Sequence, residues 1–244
     1  MKPSRQAVIN LDKVWKTYRR GRVNIHALRG VSLSVRRGEF LAITGKSGSG
    51  KSTIMNLVGC LDLPSQGHIY LDGNDVSLLG ESKLARIRGK KIGFIFQQFN
   101  LISTLTALEN VALPAAFQLT GTGHAHRRAR ALLTFVGMQE RLDHKPTELS
   151  GGQMQRVAIA RALMNDPEVI LADEPTGSLD SKTGDHMMMI LQDLNRKQGK
   201  SIIIVTHDQQ LVSYANRVIE LKDGEIVRQE NIHPENSVSN KRGG

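Results

Sequence analysis

Gly45-Lys46-Ser47-Gly48-Ser49-Gly50-Lys51-Ser52 is the stretch on which the reading of this chain turns, because it fits the pattern G-x-x-x-x-G-K-[ST]. The apolar run Phe40-Leu41-Ala42-Ile43 precedes it, short and bounded by Gly38 and Gly45, as expected of a buried strand. Ile54, Leu57, Val58 and Leu61 follow at helical spacing. The octet therefore lies between a strand and a helix, the context in which such a loop wraps phosphate. Glycines let backbone N–H groups turn inward around phosphate oxygens, and the helix presents its positive end to the same anion. Lys51 is placed to reach the β- and γ-phosphates, and the Ser52 hydroxyl to hold Mg²⁺. The expected nucleotide-binding stretch runs on through Thr53. A flexible glycine-serine cap would need neither three glycines at this spacing nor the adjacent lysine.

The 244 residues suit one compact domain with an attached subdomain. Lys and Arg number 33 against 23 Asp and Glu, a net charge of +10, which suits phosphate-rich ligands, nucleic acid or an acidic membrane surface without choosing among them. The basic residues are scattered, with small groups at Arg19, Arg20 and Arg22 and at Arg127, Arg128 and Arg130. With only 4% aromatic residues, stacking platforms for single-stranded nucleic acid are poorly supplied. The single cysteine, Cys60, lies in an apolar helical stretch and reads as core, so an internal disulfide is excluded and a reducing compartment is expected. No apolar run reaches the roughly 20 residues of a membrane span, and the polar start lacks a signal-peptide core.

Along the chain, residues 1–6 read as a frayed basic end. Val8 to Trp15, a turn at Gly21, and the alternation of Val31, Leu33 and Val35 with serines predict an antiparallel front sheet. Tyr18 stands near its tip, where a ring stacked on a nucleobase and a plain surface tyrosine fit the spacing equally well. Pro64, Gly67 and Asp72-Gly73-Asn74 punctuate a hairpin-like return through Ile69-Tyr70-Leu71, and Lys91 to Phe96 predicts a strand ending at Gln97. Taken alone, Gln97 reads as a polar strand end; its other reading is a Mg²⁺ ligand that senses nucleotide. From about Asn100 to Met164 helical spacing replaces β patterning, which predicts an inserted helical subdomain. His124 and His126 lack the cysteines or carboxylates that would complete a metal site and read as a solvated helix start.

Leu149-Ser150-Gly151-Gly152-Gln153 has the form of a capping box, Ser150 as N-cap and Gln153 three residues on. Two glycines in a first helical turn cost about 1 kcal/mol each, so they predict close approach of an anion to the helix end. Val169-Ile170-Leu171-Ala172 is an unbroken apolar run, the mark of a parallel strand covered on both faces, and it delivers Asp173 and Glu174 at its carboxyl end. Ligands of such sheets bind there, so Asp173 can hold the Mg²⁺ shell while Glu174 orients or deprotonates a water; a plain polar turn, the reading of an isolated Asp-Glu, fits less well beside a phosphate loop. Ser178-Leu179-Asp180 follows Gly177. A helix containing Met187, Met188 and Met189 comes next, its methionines read as packing. Ser201 to Val205 predicts another buried strand, which brings His207 to the same sheet edge. Arg217 to Arg228 reads as a final hairpin.

With these residues in view, the chain resembles the ATP-binding subunits of ABC transporters along almost its whole length. Gly45 to Ser52 resembles Walker A, Gln97 the Q-loop glutamine, Leu149 to Gln153 the LSGGQ signature, and Val169 to Asp173 Walker B. Ser178 to Asp180 resembles the D-loop and His207 the switch histidine, while Tyr18 falls where the family's adenine-stacking aromatic lies. Gly59-Cys60-Leu61-Asp62, Gly93 to Leu101 and Thr106 to Val111 resemble the branch of lipoprotein-release, macrolide-export and cell-division ATPases. Met154 stands where that branch more often has glutamine. The resemblance implies an α/β fold: a phosphate-loop core with a mostly parallel sheet, an N-terminal antiparallel β subdomain and an inserted α-helical subdomain. One ABC ATPase domain is expected over residues 1–230, its helical part about 100–164, with a polar tail over 231–244. ATP and Mg²⁺ are the implied cofactors. Glu174, His207, Gln97 and Lys51 are the implied catalytic group, with Ser52, Gln97 and Asp173 at the metal.

The implied partners are a second copy and an integral membrane permease, at the cytoplasmic face of the cell membrane. In the dimer, Ser150, Gly151, Gly152 and Gln153 serve ATP held by the other subunit, while Ser178 and Asp180 communicate between subunits. Phe99 to Val111 would receive the permease. Other classes fit less well. DNA-repair or chromosome ATPases place a long coiled coil between Walker A and the signature, whereas about a hundred positions separate Lys51 from Leu149 here. Translation ATPases carry two motif sets on one chain, and a small-metabolite kinase leaves the signature and His207 unexplained.

Overall fold

The computed structural model describes residues 7–118 and 122–232. The expected basic start and most of the expected polar tail lie outside the described residues. Of the residues expected for the tail, Asn231 closes a strand and the Ile232 N–H donates to the Asn216 carbonyl at 2.7 Å.

In chain order the elements are β1 (Ala7–Arg20), β2 (Val23–Arg36), β3 (Phe40–Thr44), α1 (Lys51–Val58), β4 (Gln66–Leu71), β5 (Asn74–Asp75), α2 (Glu81–Lys91) and β6 (Ile92–Ile95). Then follow α3 (Ala107–Ala116), α4 (Thr122–Phe135), α5 (Gly151–Ala162), β7 (Val169–Asp173), α6 (Ser181–Gln198), β8 (Ser201–Val205), α7 (Gln209–Val212), β9 (Arg217–Lys222) and β10 (Glu225–Asn231). The front sheet has the order β2-β1-β4-β5 and is antiparallel throughout. The central sheet has the order β10-β9-β3-β8-β7-β6, parallel except for β10 at its edge. β9 and β10 form the expected final hairpin, which joins this sheet because β9 pairs in parallel with β3.

Period-two alternation divides the central strands between two cores. Phe40, Ala42, Ile170, Ala172, Ile202 and Ile204 face the helices, packing with residues of α3 to α6. Leu41, Ile43, Val169, Leu171, Ile203 and Val205 face the front sheet and α1. Both faces are covered, which is why these strands read as unbroken apolar runs. Cys60 is buried, as expected. Met187 and Met188 are also buried, while Met189 is exposed.

α3, α4 and α5 form the helical subdomain. Thr106 and Glu109 close a capping box at the start of α3. Buried Asn110 accepts from the Ile102 N–H at 2.8 Å and donates to the Ile102 and Leu105 carbonyls at 3.1 and 3.0 Å, so one amide fixes the preceding loop. The Arg161 guanidinium on α5 holds the Phe99 carbonyl at 2.7 Å and also the Asn100 carbonyl. The stretch following Gln97 is therefore anchored to the helical subdomain.

Candidate functional site

The carboxyl ends of β3, β7 and β8 converge as the parallel register requires, with Ile43 beside Val205 and Asp173 beside Val205. From β3 the chain enters the glycine-rich loop. Gly50, at φ +106°, begins α1, and a Cβ there would meet the Ala27 carbonyl oxygen at 2.6 Å. Neither backbone nor space admits another residue. No side chain caps α1, so its first-turn N–H groups face outward from the loop without an intrahelical acceptor. Lys51 Nζ donates to the Gly45 and Lys46 carbonyls at 2.7 and 2.9 Å, closing the loop on itself. The Ser49 hydroxyl is buried without a hydrogen-bond partner. An orphaned polar atom and an uncapped helix start inside a folded loop suit a polyanion.

Asp173 ends β7. Burial, and next the neighbouring Glu174 carboxylate, push its pKa above the ordinary value, partly offset by Lys51. Two crowded carboxylates short of positive charge suit a divalent cation. Glu174 has φ +44°, in the left-handed region that disfavours residues with a side chain. Its N–H donates to the Val205 carbonyl at 2.9 Å, and its own carbonyl accepts from the Gly177 N–H at 3.0 Å. Its Oε1 lies 2.7 Å from His207 Nδ1. That hydrogen bond raises the His207 pKa. The pair's contribution to stability is therefore complete below the unfolded histidine's pKa and is lost as pH rises through the elevated folded value. Gln97 lies two residues past β6. Its carbonyl accepts from the Ser178 hydroxyl at 3.2 Å, and its side-chain nitrogen stands 2.8 Å from where a Cβ on Gly177 would lie.

On β1, Tyr18 is exposed, its hydroxyl donating to Asp62 at 2.9 Å. Lys16 Nζ lies 5.0 Å from the ring centroid and 2.5 Å from Asp62. Burial raises the tyrosine pKa, and Asp62 adds to it, while Thr53 on α1 opposes. Tyr18 thus stands beside the helix that leaves the loop. The supporting pair Lys16 and Asp62 escaped the sequence reading. Lys16 at two residues' distance on the same strand face was the available signal, whereas Asp62 becomes a neighbour only through the fold.

The signature forms the N-terminus of α5. Ser150 and Gln153 close the expected capping box, Ser150 N–H to Gln153 Oε1 at 2.9 Å and Gln153 N–H to Ser150 Oγ at 3.4 Å. The two glycines have different reasons. A Cβ on Gly152 would fall 2.5 Å from Thr183 Cγ2, so close approach of α6 accounts for it within the chain. A Cβ on Gly151 would meet nothing nearer than 3.8 Å, so packing within the chain does not explain that glycine. Asp180 caps α6, accepting from the Thr183 N–H at 3.0 Å and its hydroxyl at 2.6 Å.

Lys51, Asp173, Glu174 and His207 are gathered at one sheet edge, but the signature is elsewhere. Among the described residues no hydrogen bond or ion pair joins Ser150 through Gln153 to the glycine-rich loop. A cavity of about 350 Å³ lined by Ser150, Gly152, Gln153, Arg156 and Thr183 shares no residue with one of about 540 Å³ lined by Gly45, Lys46, His207, Glu220 and Arg228. The described residues hold no cluster of three or more metal-ligating side chains of His, Cys, Asp or Glu type, and no helix long and apolar enough to cross a membrane.

Comparison with known proteins agrees with this layout. The family model described as ABC transporter matches residues 28–177. The chain is 52% identical over 229 residues to the uncharacterized ABC transporter ATP-binding protein MJ0796 of Methanocaldococcus jannaschii, covering 92% of this chain and 97% of that one. It is 49% identical to the macrolide export ATP-binding/permease protein MacB of a Shewanella species, but there it spans only 34% of the longer relative. The structure of MJ0796 as a dimer in a post-hydrolysis state, bound to ADP and Pi, superposes with a TM-score of 0.86 at 48% identity, over 92% of this chain and 99% of that one. CbiO1 from Clostridium perfringens, part of the ABC transporter complex cbiONQ, follows at 0.83 and 29%, over 97% and 92%. The chain belongs to the ABC transporter family as one of its ATP-binding cassettes, with relatives in the macrolide-export branch that its sequence resembles.

Proposed function

We propose that the cassette hydrolyses ATP as a head-to-tail homodimer, in which each ATP lies between the glycine-rich loop of one subunit and the signature of the other. The observation that carries this reading is the separation just described: Lys51, Asp173, Glu174 and His207 meet at one edge, while Ser150 and Gly151 start α5, where among the described residues no hydrogen bond or ion pair links them to that edge. A two-fold axis brings each surface to the other twice. MJ0796, which forms dimers, supports it.

Gly45 through Thr53 would bind the triphosphate with backbone N–H groups and Lys51, and Tyr18 would stack on adenine. Ser52 and Gln97, with Asp173 through water, would hold Mg²⁺, which supplies charge neutralisation for the phosphates when bound. The Glu174 carboxylate accepts the proton of the water that attacks the γ-phosphate, and His207 holds it from the other side. Ser150, Gly151, Gly152 and Gln153 would face the γ-phosphate of the neighbouring chain, and Ser178 and Asp180 would relay its state. ATP binding closes the dimer and hydrolysis releases it. An integral membrane permease would dock on Phe99 to Val111 at the cytoplasmic face of the membrane. Transport coupled in this way is the function we assign; co-purification from solubilised membranes identifies the partner.

Glu174→Gln tests the reading. Hydrolysis should fall on the order of 10²-fold or more while ATP binding persists, and an ATP-bound dimer should accumulate on size exclusion. A variant that remained monomeric with ATP and hydrolysed normally would defeat it.

A further inference from the structure

We infer that Gln155 is a positioning residue for hydrolysis: from the signature helix it pins the turn that carries Glu174. The inference rests on the role proposed for Glu174. Gln155 lies in α5 and is 1% exposed. Its Nε2 donates to the Pro175 carbonyl at 2.7 Å and approaches Met187 Sδ at 3.5 Å. Its Oε1 is buried without a partner. A side chain that merely filled this apolar site would be better as methionine or leucine, which strand no oxygen. The amide is therefore explained by its donor, and the donor by what it holds.

Pro175 follows Glu174, whose φ of +44° is a conformation that persists only where the surroundings enforce it. Val205 fixes the Glu174 N–H from β8, and Gly177 fixes its carbonyl within the turn. Gln155 supplies the next restraint along the chain, and among the described residues it is the side chain that holds the Pro175 carbonyl. Without it the turn can relax toward ordinary backbone angles, and the Glu174 carboxylate leaves the position in which His207 meets it at 2.7 Å. The same bond fastens the catalytic turn to the helix whose first residues form the signature.

The test is Gln155→Met in the full chain, which keeps the volume and removes the donor. Steady-state kcat should fall on the order of tenfold, since small misplacement of a reacting group is costly, while KM for ATP stays within about twofold. Combined with Glu174→Gln, it should still form the ATP-bound dimer, because neither the loop nor the signature is touched. Met187→Leu disturbs the other contact of the same amide and should leave kcat within about twofold. If Gln155→Met does not accumulate folded, Gln155→Asn, a methylene too short to reach Pro175, carries the same expectation. Unchanged kcat in the Gln155 variant overturns the inference. So does an equal loss in Met187→Leu, or a loss of kcat accompanied by loss of ATP affinity, since both report packing. A fully active Gln155→Met beside an inactive Glu174→Gln sinks this inference alone; an active Glu174→Gln sinks the functional reading beneath it.

Discussion

The two edges of the central sheet are built on opposite terms. At the amino ends of the strands, charged residues are matched to each other. Arg37, ahead of β3, pairs with Asp72 and with Glu168 at 2.6 Å, and Lys91, ahead of β6, pairs with the same two carboxylates, again at 2.6 Å to Glu168. Lys200 meets Asp166 at 2.7 Å and Arg217 meets Glu39 at 2.6 Å. At the carboxyl ends the polar groups are left short. Among the described residues the Ser49 hydroxyl has no partner, Lys51 hydrogen-bonds carbonyls of its own loop, and burial and the Glu174 carboxylate raise the Asp173 pKa. Apart from the pair Glu174–His207, the second edge is less fully matched than the first. Function concentrates where the chain leaves its own chemistry incomplete.

The largest effect that separates the two edges should come from Lys51→Ala. It removes the cation proposed to meet the β- and γ-phosphates, and direct titration should show ATP binding abolished at cellular nucleotide concentrations. Unchanged affinity would remove the phosphate-loop assignment. Tyr18 extends the same edge onto the front sheet. Tyr18→Ala should weaken ATP binding by about 1 kcal/mol or more, with Tyr18→Phe and Tyr18→Trp tolerated, and equal losses in all three would discard stacking.

The amino edge should answer differently. Lys91→Met breaks two partly exposed ion pairs and should lower unfolding free energy by about 1 kcal/mol or less in denaturant titration. The ATPase of the folded variant should stay within about twofold of the parent; a large loss would deny that this edge is structural. Smallest of all is a pH effect at Asp166. Its hydrogen bond to Lys200 holds its pKa below the ordinary value. The pair therefore stabilises above the unfolded carboxyl's pKa and loses that share as pH falls through the folded one. Lys200→Met should flatten the acid limb of the stability curve slightly, and an unaltered limb would dismiss the pair.

The same contrast decides what could be read from sequence. The carboxyl edge was legible because its groups sit within a few residues of strand ends that announce themselves as apolar runs, as Asp173 and Glu174 do after Val169 to Ala172. The amino edge was not: Arg37, Asp72, Lys91 and Glu168 meet only through tertiary structure. α2 leaves no apolar period in the sequence, because it buries a single residue, Leu84. Gln155 was likewise silent, its polar type at odds with a burial that only the packing of α5 on the Pro175 turn imposes. The packing reason for Gly152 was not visible, since Thr183 lies thirty-one positions away in sequence.

The central claim is that one site is assembled from both surfaces by two chains, and a mixed dimer tests it most directly. One variant carries Lys51→Ala and the other Ser150→Arg, which blocks the end of α5; both also carry Glu174→Gln so that ATP-bound dimers persist. In a mixed dimer one site joins both lesions, while the other joins intact Lys51 from the second variant to intact Ser150 from the first. Neither variant should dimerise alone, and mixing them with ATP should give dimers with one nucleotide bound. If mixing yields no such dimers, although chains with only Glu174→Gln do dimerise, the two surfaces do not share a site.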